Sequence, residues 1–181
     1  MLTRWAEVQG RLQAAGILQV LAPYRPVVAG TFPLGLDTDG SDVDILCEIS
    51  DAAAFSDVAA QHFGRWPGFS IHRKADANPL AVVCRFTLDG LMVEVFAQPL
   101  EVKRQRAYRH MMVEQRLLAA AGPAAHEALR NLRAQGLKTE PAFARYFGWE
   151  GDPYEALLRL ADCSDGELAL WASRAQKPQE A

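Results

Sequence analysis

The stretch Ser41-Asp42-Val43-Asp44-Ile45-Leu46 begins an apolar run with two carboxylates two residues apart. In an extended strand, residues i and i+2 point to the same face, so the side chains of Asp42 and Asp44 are expected roughly 7 Å apart. Two acids at that separation repel each other unless a cation lies between them. The stretch therefore predicts a buried strand with a cation-binding pair at its entrance.

Two further features complete the candidate site. Gly30-Thr31 precedes the acid pair by a ten-residue gap, and Glu94 stands alone in the apolar run Leu91–Phe96. Glycine lets a backbone approach a phosphate closely, and the Thr31 hydroxyl can hydrogen-bond to it. Magnesium is usually held by one or two carboxylates together with substrate phosphates. The set predicts a site for a nucleoside triphosphate and Mg²⁺ (or Mn²⁺), with Glu94 as third metal ligand or general base.

The acid pair has two other interpretations. An Asp-x-Asp sequence after Gly-Ser is common in turns, where both carboxylates would simply be solvated. A calcium loop with Gly40 at its sixth position would have Gly35 first and Leu46 twelfth, where carboxylates are required. The register argues against the calcium loop and leaves the solvated turn as the alternative.

Composition is that of an ordinary globular protein. The chain has 181 residues, 50% of them hydrophobic and 23% charged, which predicts one domain or one domain with a helical appendage. A net charge of −3 gives no reason to expect tight non-specific binding of nucleic acid, so long nucleic acid is the least favoured acceptor.

Cysteine usage and hydropathy indicate the compartment. Cys47, Cys84 and Cys163 are far apart and form no CxxC motif, which argues against a zinc site or a disulfide framework. The N-terminus has no unbroken apolar core of the kind that a signal peptide needs, and no apolar run is long enough to span a membrane. We therefore expect a cytoplasmic protein without a membrane partner.

The apolar pattern of the first part of the chain predicts a helix followed by a mixed sheet. The helix is expected over residues 3–21 and a loop over 32–41, and a second helix is expected from a cap at Ser50 or Asp51 to about residue 62. Strands are predicted over 26–29, 43–49, 69–74, 81–88 and 91–96. The last two are joined by Asp89-Gly90, a strong hairpin signal.

From about residue 101 onward only helices are predicted, over 102–121, 123–134, 140–147, 153–161 and 165–173. Asp152 before Pro153 and the Ser164/Glu167 capping box mark two of their starts. The chain is thus predicted to be an α/β (α+β) protein. Residues 1–99 would form the sheet-containing core, and residues 100–181 a helical subdomain packed on it.

The pattern Gly30-Thr31, a ten-residue gap, Ser41-Asp42-Val43-Asp44-Ile45 and then Glu94 resembles the signature of the nucleotidyltransferase superfamily with the polymerase-beta-like fold. Thr31 stands where that superfamily usually has serine, and Glu94 where aspartate is commoner. More closely, the chain resembles a family of short, uncharacterised bacterial nucleotidyltransferase-like proteins filed as a domain of unknown function. That likeness extends to residues 105–110 with Glu114, to Gly136-Leu137-Lys138-Thr139-Glu140-Pro141, and to Gly151-Asp152-Pro153-Tyr154.

The resemblance implies a magnesium-dependent enzyme that transfers a nucleoside monophosphate from a triphosphate to an acceptor hydroxyl. Asp42 and Asp44 would bind the metal, with Glu94 as third ligand or base, while Gly30, Thr31 and Ser41 would contact phosphates. The acceptor is unknown, and a small molecule or a protein side chain is favoured. The alternative is a catalytically inactive nucleotide-binding or partner-binding protein of the same fold.

Basic residues in the helical part could form a second wall for the triphosphate. Arg106, Arg109 and His110 lie on one helical face, and Lys138 lies just before a helix N-terminus, so Arg109 and Lys138 are candidate nucleotide ligands. The simpler interpretation is a solvated surface on which Glu114 pairs with His110. The Arg104/His110 spacing also resembles that of all-helical metal-independent ribonucleases, but such a short motif is common by chance.

Overall fold

The computed structural model describes residues 4–175, which divide into two compact units. The first unit contains residues 4–35 and 39–108, and the second contains residues 36–38 and 109–175. The first unit holds every strand of the sheet described below, and the second is built from helices.

The sheet of the first unit has five strands in the order β1-β2-β5-β4-β3. Strands β2 and β5 run parallel, and the other neighbouring strands pair antiparallel. The sheet is therefore mixed, which confirms the predicted fold class. The bounds are β1 Val27–Ala29, β2 Val43–Glu48, β3 Ser70–Lys74, β4 Ala81–Leu88 and β5 Leu91–Gln98.

Strands β4 and β5 form the hairpin that the Asp-Gly dipeptide predicts. Asp89 and Gly90 have φ of 48° and 84°, the two positive values that a type I′ turn requires. Leu88 pairs with Leu91 across this turn. The tight turn fixes the register of the whole hairpin, since each step away from it adds one residue to both strands.

Four helices belong to the first unit, namely α1 Arg4–Ala14, α2 Ile17–Leu21, α3 Thr31–Leu34 and α4 Ala52–Phe63. The single helix predicted over 3–21 is interrupted at Gly16, whose φ of 69° is left-handed, and its predicted first residue lies outside the described residues. The loop predicted over 32–41 begins with the one-turn helix α3 instead. Asp51 caps α4 as expected, accepting hydrogen bonds from the backbone of Ala53 and Ala54.

The core of the first unit lies on one face of the sheet. Val43, Ile45 and Val95 are fully buried there, together with Leu12 of α1 and Phe55 of α4. Because side chains alternate along a strand, Asp44 and Glu94 point to the opposite face. The apolar alternation of β2 and β5 therefore determines that two of the predicted acids share the face away from this core.

The second unit is formed by helices that follow β5 along the chain, and its first helix begins at the end of the first unit. The bounds are α5 Arg106–Ala121, α6 Pro123–Ala134, α7 Thr139–Phe147, α8 Pro153–Leu160 and α9 Asp165–Ala175. The predicted capping box is present, since Ser164 N donates to Glu167 Oε2 at 2.7 Å and Glu167 N donates to Ser164 Oγ at 3.3 Å. Asp152 caps α8 by accepting from Tyr154 N at 2.8 Å.

The helix predicted from residue 102 begins later, at Arg106. A 3₁₀ turn over Val102–Arg104 comes first, and Gln105 between the two is extended. The buried Gln105 side chain donates to the carbonyl of Cys47 at 2.9 Å and to that of Leu100 at 3.1 Å. These bonds satisfy two backbone carbonyls of the first unit, which explains why a helix-favouring residue leaves the helix here.

Candidate functional site

Gly30 ends β1 directly beside Asp44. Its φ of 74° and ψ of −149° lie in a region that essentially only glycine occupies. Antiparallel pairing of β1 with β2 places Ala29 opposite Asp44, and a Cβ added at Gly30 would overlap the Asp44 carboxylate. The chain then turns into α3 with Thr31, which is half-buried. The structure therefore brings the predicted glycine turn against the second acid of the pair.

The acid pair straddles a buried residue at the start of β2. Val43 has no exposed surface, whereas Asp42 before it is exposed and Asp44 after it is half-buried. Ser41 is also half-buried. The pair thus lies where a core strand begins, with Asp42 in contact with solvent and Asp44 partly covered.

Glu94 is the register partner of Asp44. Strand β5 pairs parallel with β2, and the Cα of Glu94 stands opposite that of Asp44. Neighbouring strands lie about 4.8 Å apart, so two of the three predicted acids are adjacent on one face of the sheet. The parallel pairing of two strands about fifty residues apart in sequence produces this neighbourhood.

Arg85 holds the third acid. Its Nε and Nη2 atoms lie 2.6 Å and 2.5 Å from Oε2 of Glu94, and the two residues are opposite each other in the β4–β5 hairpin. The side chain of Glu94 is 18% exposed and that of Arg85 is 49% exposed. Arg85 was not among the predicted site residues. The Asp89-Gly90 turn could have revealed it, since counting outward from Leu88 and Leu91 reaches this pair.

The oxygen donors of Asp42 and Asp44 are of the type that Mg²⁺ prefers, and two carboxylates plus substrate phosphates are a common ligand set. Within residues 4–175 no group of three or more His, Cys, Asp or Glu side chains is arranged to hold a metal ion. The donor chemistry of Asp42 and Asp44 fits an ion shared with a triphosphate, and the participation of Glu94 as third ligand stays a prediction.

The two basic candidates belong to the second unit, whereas the acids belong to the first. Arg109 Nη2 donates to Asp162 Oδ1 at 2.9 Å. Lys138 is exposed and precedes α7, and its side chain makes no capping hydrogen bond there. Their roles as nucleotide ligands stay predictions.

His110 is buried in the second unit rather than placed on a solvated face. Its Nε2 lies 3.1 Å from the carbonyl oxygen of Tyr154, which can only accept, and its Nδ1 lies 3.6 Å from Oε1 of Glu140. The ion pair that the structure shows for His110 is therefore with Glu140, not with Glu114 one turn along the helix. Burial, the largest single effect, raises the pKa of Glu140, but the hydrogen bond with His110, a backbone hydrogen bond and the charges of His110 and Lys138 together outweigh it and hold that pKa below its ordinary value.

Glu114 lies buried in the same part of the second unit. Among the described residues its Oε1 has no hydrogen-bond partner. Burial, and then the negative charge of Glu140, raises the pKa of Glu114 to about 8, against a smaller opposing effect of Arg133. Glu114 is thus a carboxyl group that the fold keeps protonated at neutral pH.

The sequence matches one family over most of its length. Residues 10–160 fit the family described as Domain of unknown function (DUF4269). The chain belongs to this family. No curated protein matches the DUF4269 chain in sequence. The expectation that this family is bacterial and nucleotidyltransferase-like is not part of its description, and the bacterial origin stays a prediction.

Solved structures show which fold this DUF4269 chain adopts. The polymerase core of TRAMP, an RNA surveillance complex, superimposes with a TM-score of 0.52 at 12% identity over 94% of this chain and 57% of its own. A cytoplasmic RNA terminal U-transferase gives a TM-score of 0.51 at 11% identity over 84% and 45%. The chain therefore spans about half the length of these two structures. Identities this low establish the fold alone, which resembles that of nucleotidyltransferases.

A search for membrane spans along residues 4–175 finds no helix both long enough and apolar enough to cross a bilayer.

Proposed function

We propose that this DUF4269 protein is a magnesium-dependent nucleotidyltransferase that moves a nucleoside monophosphate from a triphosphate to an acceptor hydroxyl. One observation carries the proposal. Asp44 pairs with Glu94 across two parallel strands, and Gly30 lies directly against the Asp44 carboxylate. A glycine turn, the second acid of the pair and a third acid from distant parts of the chain meet on one sheet face. If the acids were merely solvated in a turn, there would be no reason for Gly30 and Glu94 to lie beside them.

Each residue has a distinct role in the proposed reaction. Asp42 and Asp44 would hold Mg²⁺, which when bound neutralises charge on the triphosphate. The backbone at Gly30 and the hydroxyl groups of Thr31 and Ser41 would contact phosphates, with Arg109 and Lys138 as further nucleotide ligands. Residues 1–99 would be the nucleotidyltransferase-like core, and residues 100–181 the helical subdomain.

In the transfer step the acceptor hydroxyl oxygen attacks the α-phosphorus and forms a new phosphoester bond. The bond between the α-phosphorus and the oxygen that bridges to the β-phosphate breaks, and pyrophosphate leaves with that electron pair. Glu94 accepts the proton of the hydroxyl group if it acts as the base. The residues contribute chiefly by positioning the reactants and stabilising charge. A small molecule or a protein side chain is the favoured acceptor.

The test is pyrophosphate release from each nucleoside triphosphate in the presence of Mg²⁺. The double variant Asp42→Asn plus Asp44→Asn should abolish release while the melting temperature stays near that of wild type. Asp39→Asn is the matched control, because it removes an exposed carboxylate just upstream whose ion pair with Arg4, at 3.5 Å, is solvent-exposed and weak. Release that survives in the double variant would remove the proposed mechanism.

The second candidate is a nucleotide-binding or partner-binding protein of the same fold without turnover. The observation that favours it is the Arg85–Glu94 ion pair, because it neutralises the proposed base. Thermal-shift measurements with each triphosphate, with and without Mg²⁺, distinguish the candidates. A shift without pyrophosphate release supports the binding protein, and no shift with any triphosphate contradicts both nucleotide-based candidates.

A further inference from the structure

A groove of about 530 Å³ lies on the first unit beside Glu94. Its lining includes the basic side chains of His72, Arg73, Lys74 and Arg85, the acids Glu94 and Asp76, and the apolar side chains of Val83 and Phe96. We call it the β3–β5 groove. It adjoins the proposed catalytic face, yet none of the roles assigned above uses it beyond Glu94.

The strand register determines how charge is distributed along the groove. Arg85 stands opposite Glu94, and two residue pairs further along the strands the next row on the same face contains His72, Val83 and Phe96. Lys74 follows opposite Ala81 at the edge strand β3. Because alternate residues share a face, these side chains project to the same side as Asp44. The groove therefore has the Arg85–Glu94 ion pair where it meets the catalytic face, and His72 and Lys74, with Asp76 just after them, towards the sheet edge.

The distance between the two ends matches an acceptor that is longer than a simple alcohol. His72 on β3 is two strands and one row away from Glu94 on β5, which corresponds to roughly 12 Å between their backbones. A hydroxyl group positioned at Glu94 would therefore leave room for an anionic group near His72 and Lys74. The half-buried ring of Phe96 offers an apolar floor between the two ends.

We propose that the β3–β5 groove binds the acceptor substrate and that this acceptor carries a phosphate group. Its hydroxyl group would lie at Glu94 and its phosphate at His72 and Lys74, whose N–H groups can donate hydrogen bonds to phosphate oxygens, with the Lys74 ammonium group adding its charge. Arg85 would lie between the two ends and keep the Glu94 carboxylate in place. The inference rests on the proposed transferase and adds the chemical class of its acceptor, which is a phosphorylated one.

Binding is measured first without metal or triphosphate, so that it does not depend on turnover. A fluorescein-labelled adenylate trinucleotide is titrated with the full chain in EDTA, and AMP and adenosine are added as competitors. The trinucleotide or AMP should bind, whereas adenosine, which lacks a phosphate, should not compete. Stronger binding of the trinucleotide than of AMP would assign the phosphate to a nucleic-acid 3′ end, and equal binding would assign it to a small phosphorylated molecule.

Three variants locate the binding site. His72→Ala and Lys74→Glu should each weaken binding of the phosphorylated probe at least about fivefold at 0.1 M salt. Lys103→Glu makes the same charge change at an exposed residue outside the groove and should change binding less than about twofold. Equal losses in Lys74→Glu and Lys103→Glu, or no binding of either phosphorylated probe by wild type, would overturn the inference.

The same measurements separate this inference from the proposed function. The Asp42→Asn plus Asp44→Asn variant should lose pyrophosphate release and still bind the phosphorylated probe. If wild type binds the probe but releases no pyrophosphate, binding of a phosphorylated ligand in the groove is supported and the transferase proposal is contradicted. If turnover on a phosphorylated hydroxyl acceptor is unchanged in Lys74→Glu, the transferase proposal survives and the groove inference is wrong.

Discussion

Gly30 lies so close to the carboxylate of Asp44 that a single added Cβ would overlap Oδ2 of the acid. The contact arises because β1 pairs antiparallel with β2, and because Gly30 adopts a positive φ at the end of its strand. Glycine here therefore serves two purposes, since it permits the turn and it leaves room for the carboxylate.

Gly30→Ala should displace the Asp44 carboxylate and destabilise the protein by about 2–4 kcal/mol, from backbone strain and steric overlap together. The Mg²⁺-dependent thermal shift with triphosphate should be lost. Gly40→Ala is the matched control, because Gly40 has a φ of +87° but no atom within 4 Å of an added Cβ. It should cost only about 1–2 kcal/mol and keep the shift, and equal effects of the two variants would contradict the proposed contact.

Arg85→Gln should lower kcat for pyrophosphate release severalfold, because Glu94 loses the guanidinium group that orients its carboxylate. Stability should change by less than about 1 kcal/mol, since the pair is partly exposed. Arg25→Gln removes a comparable cation from Glu48 on the same sheet and should leave kcat unchanged. If Arg85→Gln increases kcat instead, the ion pair restrains the base rather than positioning it.

Glu114 should make the stability of the protein depend on pH. Its pKa is raised by burial from an ordinary 4.5 to about 8, so the unfolded chain releases the proton at a lower pH than the folded one. Stability is therefore fully present below about pH 4.5 and is lost as the pH rises towards 8. Glu114→Gln should remove this loss, which is on the order of a few kcal/mol, in denaturant melts at pH 5 and pH 8.

Glu167 is a control for that experiment, because its pKa is shifted downward whereas that of Glu114 is shifted upward. Hydrogen bonds from the Ser164 side chain and backbone lower its pKa, so its contribution is present at neutral pH and is lost as the pH falls through the lowered pKa. Glu167→Gln should flatten the acidic side of the stability profile, whereas Glu114→Gln should flatten the neutral-to-alkaline side. Identical profiles for the two variants would contradict the assignment of Glu114.

The cysteines should differ in reactivity. Burial raises the pKa of Cys47 and Cys84 to about 12, so neither forms appreciable thiolate at pH 8. Cys163 is only half-buried. A colorimetric thiol reagent should therefore modify a single cysteine rapidly in the native protein, and Cys163→Ser should abolish that rapid phase. Fast modification of all three thiols would show that the sheet opens readily.

Local sequence signals predicted the hairpin and most helix starts correctly, because their causes lie within a few residues. Asp89-Gly90 determines its own turn, and Asp51, Asp152 and Ser164 cap helices through neighbouring backbone groups. The errors occurred where tertiary contacts compete with these local preferences. Gln105 interrupts a predicted helix because its side-chain amide donates a hydrogen bond to the carbonyl of Cys47, which is far away in sequence.

The sequence by itself determined the fold class, the strand that begins after Asp42 and carries Asp44, and the residue types of the candidate site. Periodicity, turn residues and caps encode these features locally. Only the tertiary structure decided that Asp44 is paired with Glu94 and that His110 contacts Glu140 rather than Glu114. Such partners depend on parallel strand pairing and helix packing between distant segments, which no local pattern specifies.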